Sequence, residues 1–424
     1  MKLNPLCVIL LLLVPGFSWA QFAPDLLVLN NAILIDANHR VPSAPKTVII
    51  KGGKITEVRA SGTYSFPDSA VIINLKGKYV LPGLIDSHVH MATDPDGVDN
   101  HSHTMEVLEQ MLYSGVTTVR DMAGDARVLA GLARDANTCQ ISSPDIYYSA
   151  LMAGASFFKD PRTQASSSGG VAGGMSYMKA ITDTTNLVLA VAEAKGCGAW
   201  GIKLYADLSA SLVARILKEA ESQNIPVWSH AWLQQTKPSD LVIAGVNSIS
   251  HAPLLLHEKL SKVPEAWKKQ IYSAEAWDKM VPELDTLFLL MKRHHTVLDA
   301  TLLTYQKWAK SDTTVRWAYE VAKRITSRAH AAGVTISAGT DDDQEQFVQD
   351  EMRLLVSDAG FSAFEAIVAA TLHSAAALNM QATKGCVSKG MDADLLILTR
   401  NPLENIDNIK SVHLVVKYGR IYHK

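Results

Sequence analysis

Residues 79–90 of the chain read Tyr-Val-Leu-Pro-Gly-Leu-Ile-Asp-Ser-His-Val-His. The apolar residues of this stretch predict a buried β-strand, and His88 and His90 stand at its end. Because residues i and i+2 of a strand point to the same face, the two imidazoles could bind one metal ion. A second pair, His101 and His103, lies in a polar segment, where solvated or mouth-lining side chains are expected. The strand-end pair is therefore the better candidate for a metal site.

The middle of the chain, residues 82–380, alternates short apolar strands with longer amphipathic stretches. In residues 209–223, for example, Leu212, Ile216 and Ala220 recur at the spacing of a helix. This alternation is typical of βα units, and eight of them indicate a (β/α)8 barrel. The eight predicted strands span residues 83–89, 117–122, 145–150, 201–205, 226–230, 248–251, 296–301 and 335–339.

Both ends of the mature chain predict strands of another kind. Short segments rich in Val, Ile and Leu follow one another there with turn-forming residues between them, which predicts an antiparallel sheet. These segments span residues 26–35, 47–59, 70–80, 394–399 and 412–418. We therefore predict an α/β fold in which the barrel interrupts a small β-sandwich domain. Residues 21–81 form the first part of that domain and residues 381–424 form the second.

The first 20 residues have the features of a secretory signal peptide. Lys2 supplies a positive charge, an apolar run follows over residues 6–14, and residues 18–20 read Ser-Trp-Ala. The apolar run is about half of the roughly 20 residues that a membrane-spanning helix needs, which disfavours a membrane anchor. We expect cleavage after Ala20 and a mature protein that is periplasmic or secreted, with no membrane association.

The composition excludes several classes of function. Lys and Arg total 40 against 42 acidic residues, and no basic run appears, so the chain lacks the charge pattern of nucleic-acid binding. Three cysteines remain after removal of Cys7, and none forms a Cys-x-x-Cys pair that would indicate structural zinc. Cys139 and Cys197 precede neighbouring barrel strands, so an exported chain could join them in a disulfide. The expected partner is a small-molecule substrate, and homo-oligomer formation stays open.

Three further side chains stand at the ends of predicted barrel strands. His230 and His251 end the fifth and sixth strands, and imidazole clusters at strand ends suit zinc and similar ions. Asp341 follows the eighth strand. Its alternative role is a helix N-cap, but in a barrel with strand-end histidines it is better interpreted as a metal ligand. Beside a metal ion, Asp341 could also accept the proton of the attacking water.

Lys203 lies inside the fourth predicted strand. Burying a lysine as a cation is costly unless it is paired. As a neutral amine it could react with carbon dioxide to give a carbamate, whose two oxygens can bridge two metal ions. The alternative is an ion pair with a neighbouring carboxylate such as Asp121.

In combination these motifs resemble the amidohydrolase superfamily of metal-dependent hydrolases, and the similarity covers essentially the whole mature chain. The resemblance rests on residues 79–90, Gly115-Val-Thr-Thr-Val-Arg-Asp121, Gly201-Ile-Lys203, the histidines at 230 and 251, Ala338-Gly-Thr-Asp341, residues 389–397 and Asn401-Pro-Leu403. It implies a distorted TIM barrel with a β-sandwich made from both chain ends. Within the superfamily, the arrangement is similar to that of prolidase-like and imidazolonepropionase-related amidohydrolases.

The resemblance also implies a cofactor set of two divalent metal ions. His88, His90 and Asp341 would hold the first ion, and His230 and His251 would hold the second. Lys203 would bridge the two ions as a carbamate derived from CO2. Zinc is favoured, and Mn, Co or Fe also suit these ligands.

Two segments depart from the family pattern. The family usually has Asn-Pro near the end of the last barrel helix, where residues 372–375 of this chain read Leu-His-Ser-Ala. This difference affects a packing position and not the metal ligands. Deaminases of the superfamily carry a glutamate shortly after the fifth-strand histidine and need no strand lysine. Residues 230–234 read His-Ala-Trp-Leu-Gln, which disfavours deamination.

We therefore predict a secreted, binuclear metal-dependent hydrolase that cleaves a C–N amide bond, in N-acyl amino acids or in dipeptides. Asp341 would be its catalytic proton carrier, and Arg120, Tyr205 and His295 are candidate substrate contacts. One alternative is a lactone or phosphoester hydrolase, and another is a mononuclear cyclic amidase similar to imidazolonepropionase. An alternative of another class is a secreted barrel that binds a ligand without turnover.

If the predicted cleavage takes place, the mature protein begins at Gln21, because signal peptidase cuts after small residues such as Ala20. N-terminal sequencing of the exported protein measures this directly. Recovery of the protein from the membrane fraction with Met1 intact would contradict it.

Overall fold

The computed structural model describes residues 24–92, 101–259, 281–342 and 347–423, so the predicted signal peptide lies outside the described residues. No helix within these ranges is long and apolar enough to cross a membrane. In chain order the strands are β1 (Leu26–Leu34), β2 (Lys46–Lys51), β3 (Lys54–Ala60), β4 (Val71–Asn74), β5 (Tyr79–Pro82), β6 (Leu84–Val89), β7 (Val116–Asp121), β8 (Asp145–Ala153), β9 (Gly174–Met175), β10 (Met178–Ala180), β11 (Gly201–Leu204), β12 (Val227–His230), β13 (Ser248–Ser250), β14 (Val297–Asp299), β15 (Ile336–Ser337), β16 (Leu395–Leu398), β17 (Val412–Lys417) and β18 (Arg420–Tyr422).

Helices alternate with the strands of the middle of the chain. They are α1 (His101–Tyr113), α2 (Ala126–Asn137), α3 (Pro161–Ala165), α4 (Leu187–Gly196), α5 (Ala210–Ser222), α6 (Pro238–Ala244), α7 (Asp285–His294), α8 (Leu302–Ser311), α9 (Arg316–Ala331), α10 (Val348–Ala359), α11 (Ala363–Val368) and α12 (Ser374–Ala377). Helix α5 forms where the apolar spacing predicts it. Leu212, Ile216 and Ala220 lie on its buried face, and the Ser209 hydroxyl caps its first turn by accepting from the Leu212 amide.

The predicted barrel is confirmed as a nearly closed parallel sheet in the order β6-β7-β8-β11-β12-β13-β14-β15. Backbone hydrogen bonds from Ser87 N to Ala338 O (2.9 Å) and from Asp341 N to His88 O (2.8 Å) connect the last strand to the first. The barrel is distorted at β8, whose first half pairs with β7 and whose second half pairs with β10. Because the eight strands are parallel, their C-terminal ends lie together at one end of the barrel.

Both chain ends meet in a second sheet, in the order β18-β17-β16-β5-β1-β2-β3, with β4 beside β1. The two ends join where β5 pairs with β16 in antiparallel register, with Val80 opposite Ile397. Alternate residues of these strands pack into an apolar core separate from that of the barrel. This core includes Leu27, Leu29, Val48, Ile50, Ile55, Leu395, Ile397 and Val416.

The expectation of antiparallel pairing throughout this sheet is wrong at β1, which pairs in parallel with β4 and with β5. Strands β2 and β3 form a hairpin on one side of β1. The chain then crosses to the other side of β1, where β4 begins. A strand that returns by such a crossover runs parallel to its neighbour, whereas a hairpin strand runs antiparallel.

The expected disulfide between Cys139 and Cys197 is also absent, since both residues are free cysteines in the described part of the chain. Cys197 is the C-cap of α4, and its thiol donates to Ala194 O of the same helix (3.0 Å). Cys139 is buried just after α2, beside Tyr422 of the second sheet. Each thiol is therefore directed to a different neighbour.

Buried ion pairs connect the barrel to the second sheet. Asp145, at the start of β8, accepts a hydrogen bond from Lys384 (3.0 Å) and forms an ion pair with Lys417 of β17 (2.8 Å). Lys384 also pairs with Asp394, and the side chains of these four residues are no more than 6% exposed. Without Asp145, the buried cation of Lys417 would lose the carboxylate that it contacts, and Lys384 would lose one of its carboxylate partners, so Asp145 connects the two parts of the fold.

Replacing Asp145 tests this connection. We expect Asp145→Ala to lower the free energy of unfolding by about 3–5 kcal/mol, because it leaves buried charges without their partner. The matched control is Glu320→Ala, which removes the exposed i,i+3 pair with Lys323 and should cost less than about 1 kcal/mol. Denaturant unfolding followed by tryptophan fluorescence measures both. Equal unfolding midpoints for the two variants would contradict the prediction.

Candidate metal centre

Three predicted ligands converge at the C-terminal end of the barrel. His88 and His90 stand at the end of β6, and Asp341 follows β15, which is hydrogen-bonded to β6. The Nε2 atoms of His88 and His90 lie 3.4 and 3.2 Å from Asp341 Oδ1. The ligand atoms of the three side chains lie within 4.8 Å of one another, close enough to bind one metal ion.

The other predicted ligands lie beside this group. His230 ends β12 and His251 follows β13, and their ring centroids are 4.9 Å apart. The His251 ring is 5.1 Å from that of His88, and its Nδ1 is 3.8 Å from Asp341 Oδ2. Lys203 lies fully buried on the adjacent strand β11 and donates to Ser250 Oγ (2.7 Å). The structure thus brings all six predicted ligands to one end of the barrel.

Each imidazole is oriented through its Nδ1 atom. Such a contact directs the other ring nitrogen, Nε2, toward a metal and is the usual arrangement around ligating histidines. The Nδ1 partners are Asp299 Oδ2 for His88 (2.6 Å), Ala123 O for His90 (3.2 Å), Tyr205 O for His230 (3.1 Å) and Thr301 Oγ1 for His251 (3.0 Å). Among the described residues, the Nε2 atom of His88 is buried and has no hydrogen-bond partner. This donor set fits a divalent metal ion.

The electrostatics of the site favour the protonation states that bind metal. Burial lowers the pKa of His251 to about 3 and holds the pKa of His230 well below its usual value, so both imidazoles are neutral at neutral pH. Burial alone would raise the pKa of Asp341, but the neighbouring His88 and His90 hold it well below the usual range. The site therefore combines neutral imidazoles at His230 and His251 with a carboxylate anion. Burial alone would lower the pKa of His90, but its hydrogen bond to Asp341 raises that pKa.

Lys203 has the environment of a reactive amine. Burial lowers its pKa to about 7, against the opposing effect of Asp299, so a large part of Lys203 is uncharged near neutral pH. The alternative partner, Asp121, instead accepts the backbone amides of Met91 (2.6 Å) and Ala123 (3.1 Å). These contacts favour the carbamate interpretation over a simple ion pair.

Asp299 is a residue that sequence reasoning missed. It ends β14 and is fully buried, and it accepts from His88 Nδ1 and from Ser250 Oγ (3.2 Å). Arg120 Nη2 lies 3.4 Å from the same carboxylate. The signal that could have identified Asp299 is its position in the seventh predicted strand, residues 296–301.

Two of the three predicted substrate contacts, Arg120 and His295, do not line the cavity beside the predicted metal ligands. Arg120 is fully buried inside the barrel, where Nε donates to Ser87 O (2.6 Å) and Nη1 to Ser248 Oγ (2.8 Å). His295 is the C-cap of α7, just before β14 begins, so it lies toward the opposite end of the barrel. Both assignments are corrected, because neither side chain can touch a substrate at the strand ends.

Tyr205, the third candidate contact, lines a cavity of about 240 Å³ beside the predicted metal ligands His90 and Asp341. Its hydroxyl donates to Met122 O (2.6 Å), so it presents its ring to the cavity wall rather than a free hydroxyl. Other lining residues are Leu151, Phe157, Arg162, Met178, Thr304 and Trp308. A compact substrate in this cavity would lie against the predicted metal ions.

Comparison with known proteins gives one family for most of the chain. A family model described as "Amidohydrolase family" matches residues 79–422. Ochratoxinase from Aspergillus niger is 25% identical over 394 residues, which cover 81% of this chain and 75% of that enzyme. N-substituted formamide deformylase from Arthrobacter pascens is 35% identical over 98 residues, but the match spans only 21% of this chain and 17% of that enzyme.

Solved structures have the same fold. The crystal structure of a Xaa-Pro dipeptidase with bound methionine in its active site has a TM-score of 0.75 and 22% sequence identity. The match covers 94% of this chain and all of that one. At this identity the likeness supports the fold alone.

Replacing Asp299 tests its role beneath the metal ligands. We expect Asp299→Asn to weaken metal binding by about 10- to 100-fold, because a neutral amide no longer supports His88 as the carboxylate does. Metal titration of the metal-free protein measures the dissociation constants. The control Asp285→Asn changes a carboxylate that is 64% exposed and should bind metal as the wild type does. Equal affinities in all three proteins would rule out this role for Asp299.

Proposed function

This chain belongs to the amidohydrolase family, and we propose that it is an exported hydrolase that cleaves the amide bond of N-acyl amino acids or dipeptides with two divalent metal ions. The family and its amide-cleaving neighbours support a hydrolase that acts on amide bonds. The proposal adds the metal number, the substrate class and export, which follows from the predicted signal peptide.

One observation carries the proposal. Four imidazoles and a carboxylate converge at one end of the barrel, and the Nδ1 atom of each imidazole already has a hydrogen-bond partner. A buried ring nitrogen without a partner, such as His88 Nε2, costs about 1–3 kcal/mol, and a metal ion removes this cost. His88, His90 and Asp341 would hold one ion. His230 and His251 would hold the other, with the Lys203 carbamate between them. Zinc is favoured, and Mn, Co and Fe suit the same ligands.

The residues of the chain divide the remaining work. Bound metal ions would supply an acidified water molecule and a polarised substrate carbonyl. Asp341 stays ionised at neutral pH because His88 and His90 hold its pKa low. Its carboxylate can accept the proton of the attacking water and pass it to the leaving amine. The rings of Tyr205 and Phe157, with centroids 5.1 Å apart, both line the cavity.

A mononuclear centre is the second candidate. The compact group of His88, His90 and Asp341 could bind one ion without Lys203, as in the imidazolonepropionase-like alternative. The two candidates differ in what Lys203 does.

Two variants separate these candidates. In a binuclear enzyme, Lys203→Ala should lose the second ion together with activity, and a small added carboxylic acid should restore part of both by occupying the vacated bridge. Asp341→Asn should keep most of its metal while kcat falls by roughly 10²- to 10⁴-fold, the scale of a lost general base. Metal analysis beside turnover on N-acyl amino acids and dipeptides measures both.

The matched control is Lys195→Ala, which removes an exposed lysine of α4 and should change neither quantity. Two metal ions and normal turnover in Lys203→Ala would exclude the bridge in favour of the mononuclear centre. Hydrolysis of lactones or phosphoesters, with no hydrolysis of amides, would exclude the amidase proposal itself.

A further inference from the structure

The cavity beside the candidate metal centre is lined by one arginine and by several apolar side chains. Among the described residues that line it, Arg162 is the only lysine or arginine, and Leu151, Phe157, Met178 and Trp308 supply apolar surface. His90 and Asp341 also border this cavity. A ligand that fills it therefore meets the metal ligands, an apolar wall and a guanidinium at the same time.

Arg162 is held in place by its own helix cap. Asp160 is the N-cap of α3, and its Oδ1 accepts from the Arg162 amide (2.9 Å) and from Nε (3.1 Å). Its Oδ2 accepts from Nη2 (2.8 Å). These bonds occupy one edge of the guanidinium. Within the described chain Nη1 has no hydrogen-bond partner, and the side chain is 56% exposed.

A continuous aromatic surface leads from the metal centre to the loop that carries Arg162. The Tyr205 ring lies 4.4 Å from the ring of the predicted ligand His230. The Phe157 ring in turn lies 5.1 Å from the Tyr205 ring. Phe157 belongs to the short helix Ala155–Lys159, which immediately precedes Asp160 and α3. An apolar side chain of a substrate can pack on these rings.

The free edge of a fixed guanidinium is suited to a planar anion. Arginine binds carboxylates through parallel N–H···O bonds, and a guanidinium that is already oriented loses less entropy on binding. A lysine or an unrestrained arginine would give less directional binding. Asp160 leaves the guanidinium its remaining donors, so a second carboxylate can approach the open edge.

We propose that Arg162 is the specificity residue that binds the free carboxylate of the substrate, with the apolar side chain of the same amino acid against Phe157 and Tyr205. The preferred substrates are then amides whose amine half is an apolar amino acid with a free carboxylate. This inference rests on the proposed amidase function and names the residue that selects its substrates.

The experiment compares matched substrates on the metal-reconstituted enzyme. The acids are N-acetyl-phenylalanine, N-acetyl-leucine and N-acetyl-methionine, and each is paired with the N-acetyl amine that lacks the carboxylate. The wild type should prefer the acids by roughly 10²-fold in kcat/KM, the value of two charge-assisted hydrogen bonds. Arg162→Gln should remove this preference mainly by raising KM for the acids. The kcat/KM for the neutral amides without a carboxylate should change less than about threefold. Arg162→Lys should recover part of the preference.

The chain offers a matched control at Arg127. Asp125 caps α2 and accepts from the Arg127 amide (2.9 Å) and from Nε (2.8 Å), in the same arrangement as Asp160 and Arg162. Arg127 does not line the cavity. Arg127→Gln should therefore keep the wild-type preference for the acids, since it removes the same kind of guanidinium contact to a capping aspartate without the proposed anion contact.

The outcomes separate the inference from the function on which it rests. Two outcomes overturn the inference while the amidase function stands. In one, the wild type hydrolyses the acids and the neutral amides equally. In the other, Arg162→Gln loses both activities in proportion. A metal-loaded wild type that hydrolyses no amide overturns the proposed function, and the inference fails with it. Equal loss of preference in Arg127→Gln would assign the effect to loop structure and overturn the carboxylate contact.

Discussion

The candidate metal centre depends on the buried ion pairs that the Asp299 carboxylate forms with His88 and Arg120. Burial alone would raise the pKa of Asp299, but His88 and Arg120 hold that pKa below its usual value and keep the group ionised. Removing one partner from such a buried charge pair costs several kcal/mol. Asp299 accepts from His88 and from Ser250, and Ser250 accepts from Lys203. One charge therefore orients a predicted ligand of the first ion and the partner of the predicted bridge.

Arg120 completes this arrangement from inside the barrel. Its guanidinium donates to Ser87 O and Ser248 Oγ and lies over the Trp228 ring, 4.7 Å from the ring centroid. Asp299 is shared between Arg120 and His88, and its charge only partly opposes the effect of burial on Lys203. Burial can then lower the pKa of Lys203 to about 7. The uncharged amine that results is the form that the proposed carbamate requires.

The cavity walls depend on a different buried carboxyl group. Glu351 of α10 accepts the backbone amides of Leu302 (3.0 Å) and Leu303 (2.7 Å) and so fixes the start of α8. Burial raises the pKa of Glu351 to about 8. Helix α8 in turn presents Thr304 and Trp308 to the cavity. The ligands for metal come from strand ends, whereas the surfaces that face the substrate come from loops and helix starts, as is usual for barrel enzymes.

Local patterns in the chain were enough to predict the barrel and to predict that six candidate metal ligands meet at one end of it. His230 and His251 each end a short apolar run, and such a run predicts a strand whose end lies beside the other strand ends. The same patterns failed for Arg120, since a strand-end position does not tell whether a side chain points into the barrel or to the cavity. The roles of Asp299 and Arg162 can be inferred only from the folded chain. Arg162 lies in the 5-residue helix α3, which is too short to show a periodic pattern. Asp299 acquires its role from Arg120 and His88, which are 179 and 211 residues away. Contacts at such separations depend on how the strands close into a barrel, and no local pattern contains that information.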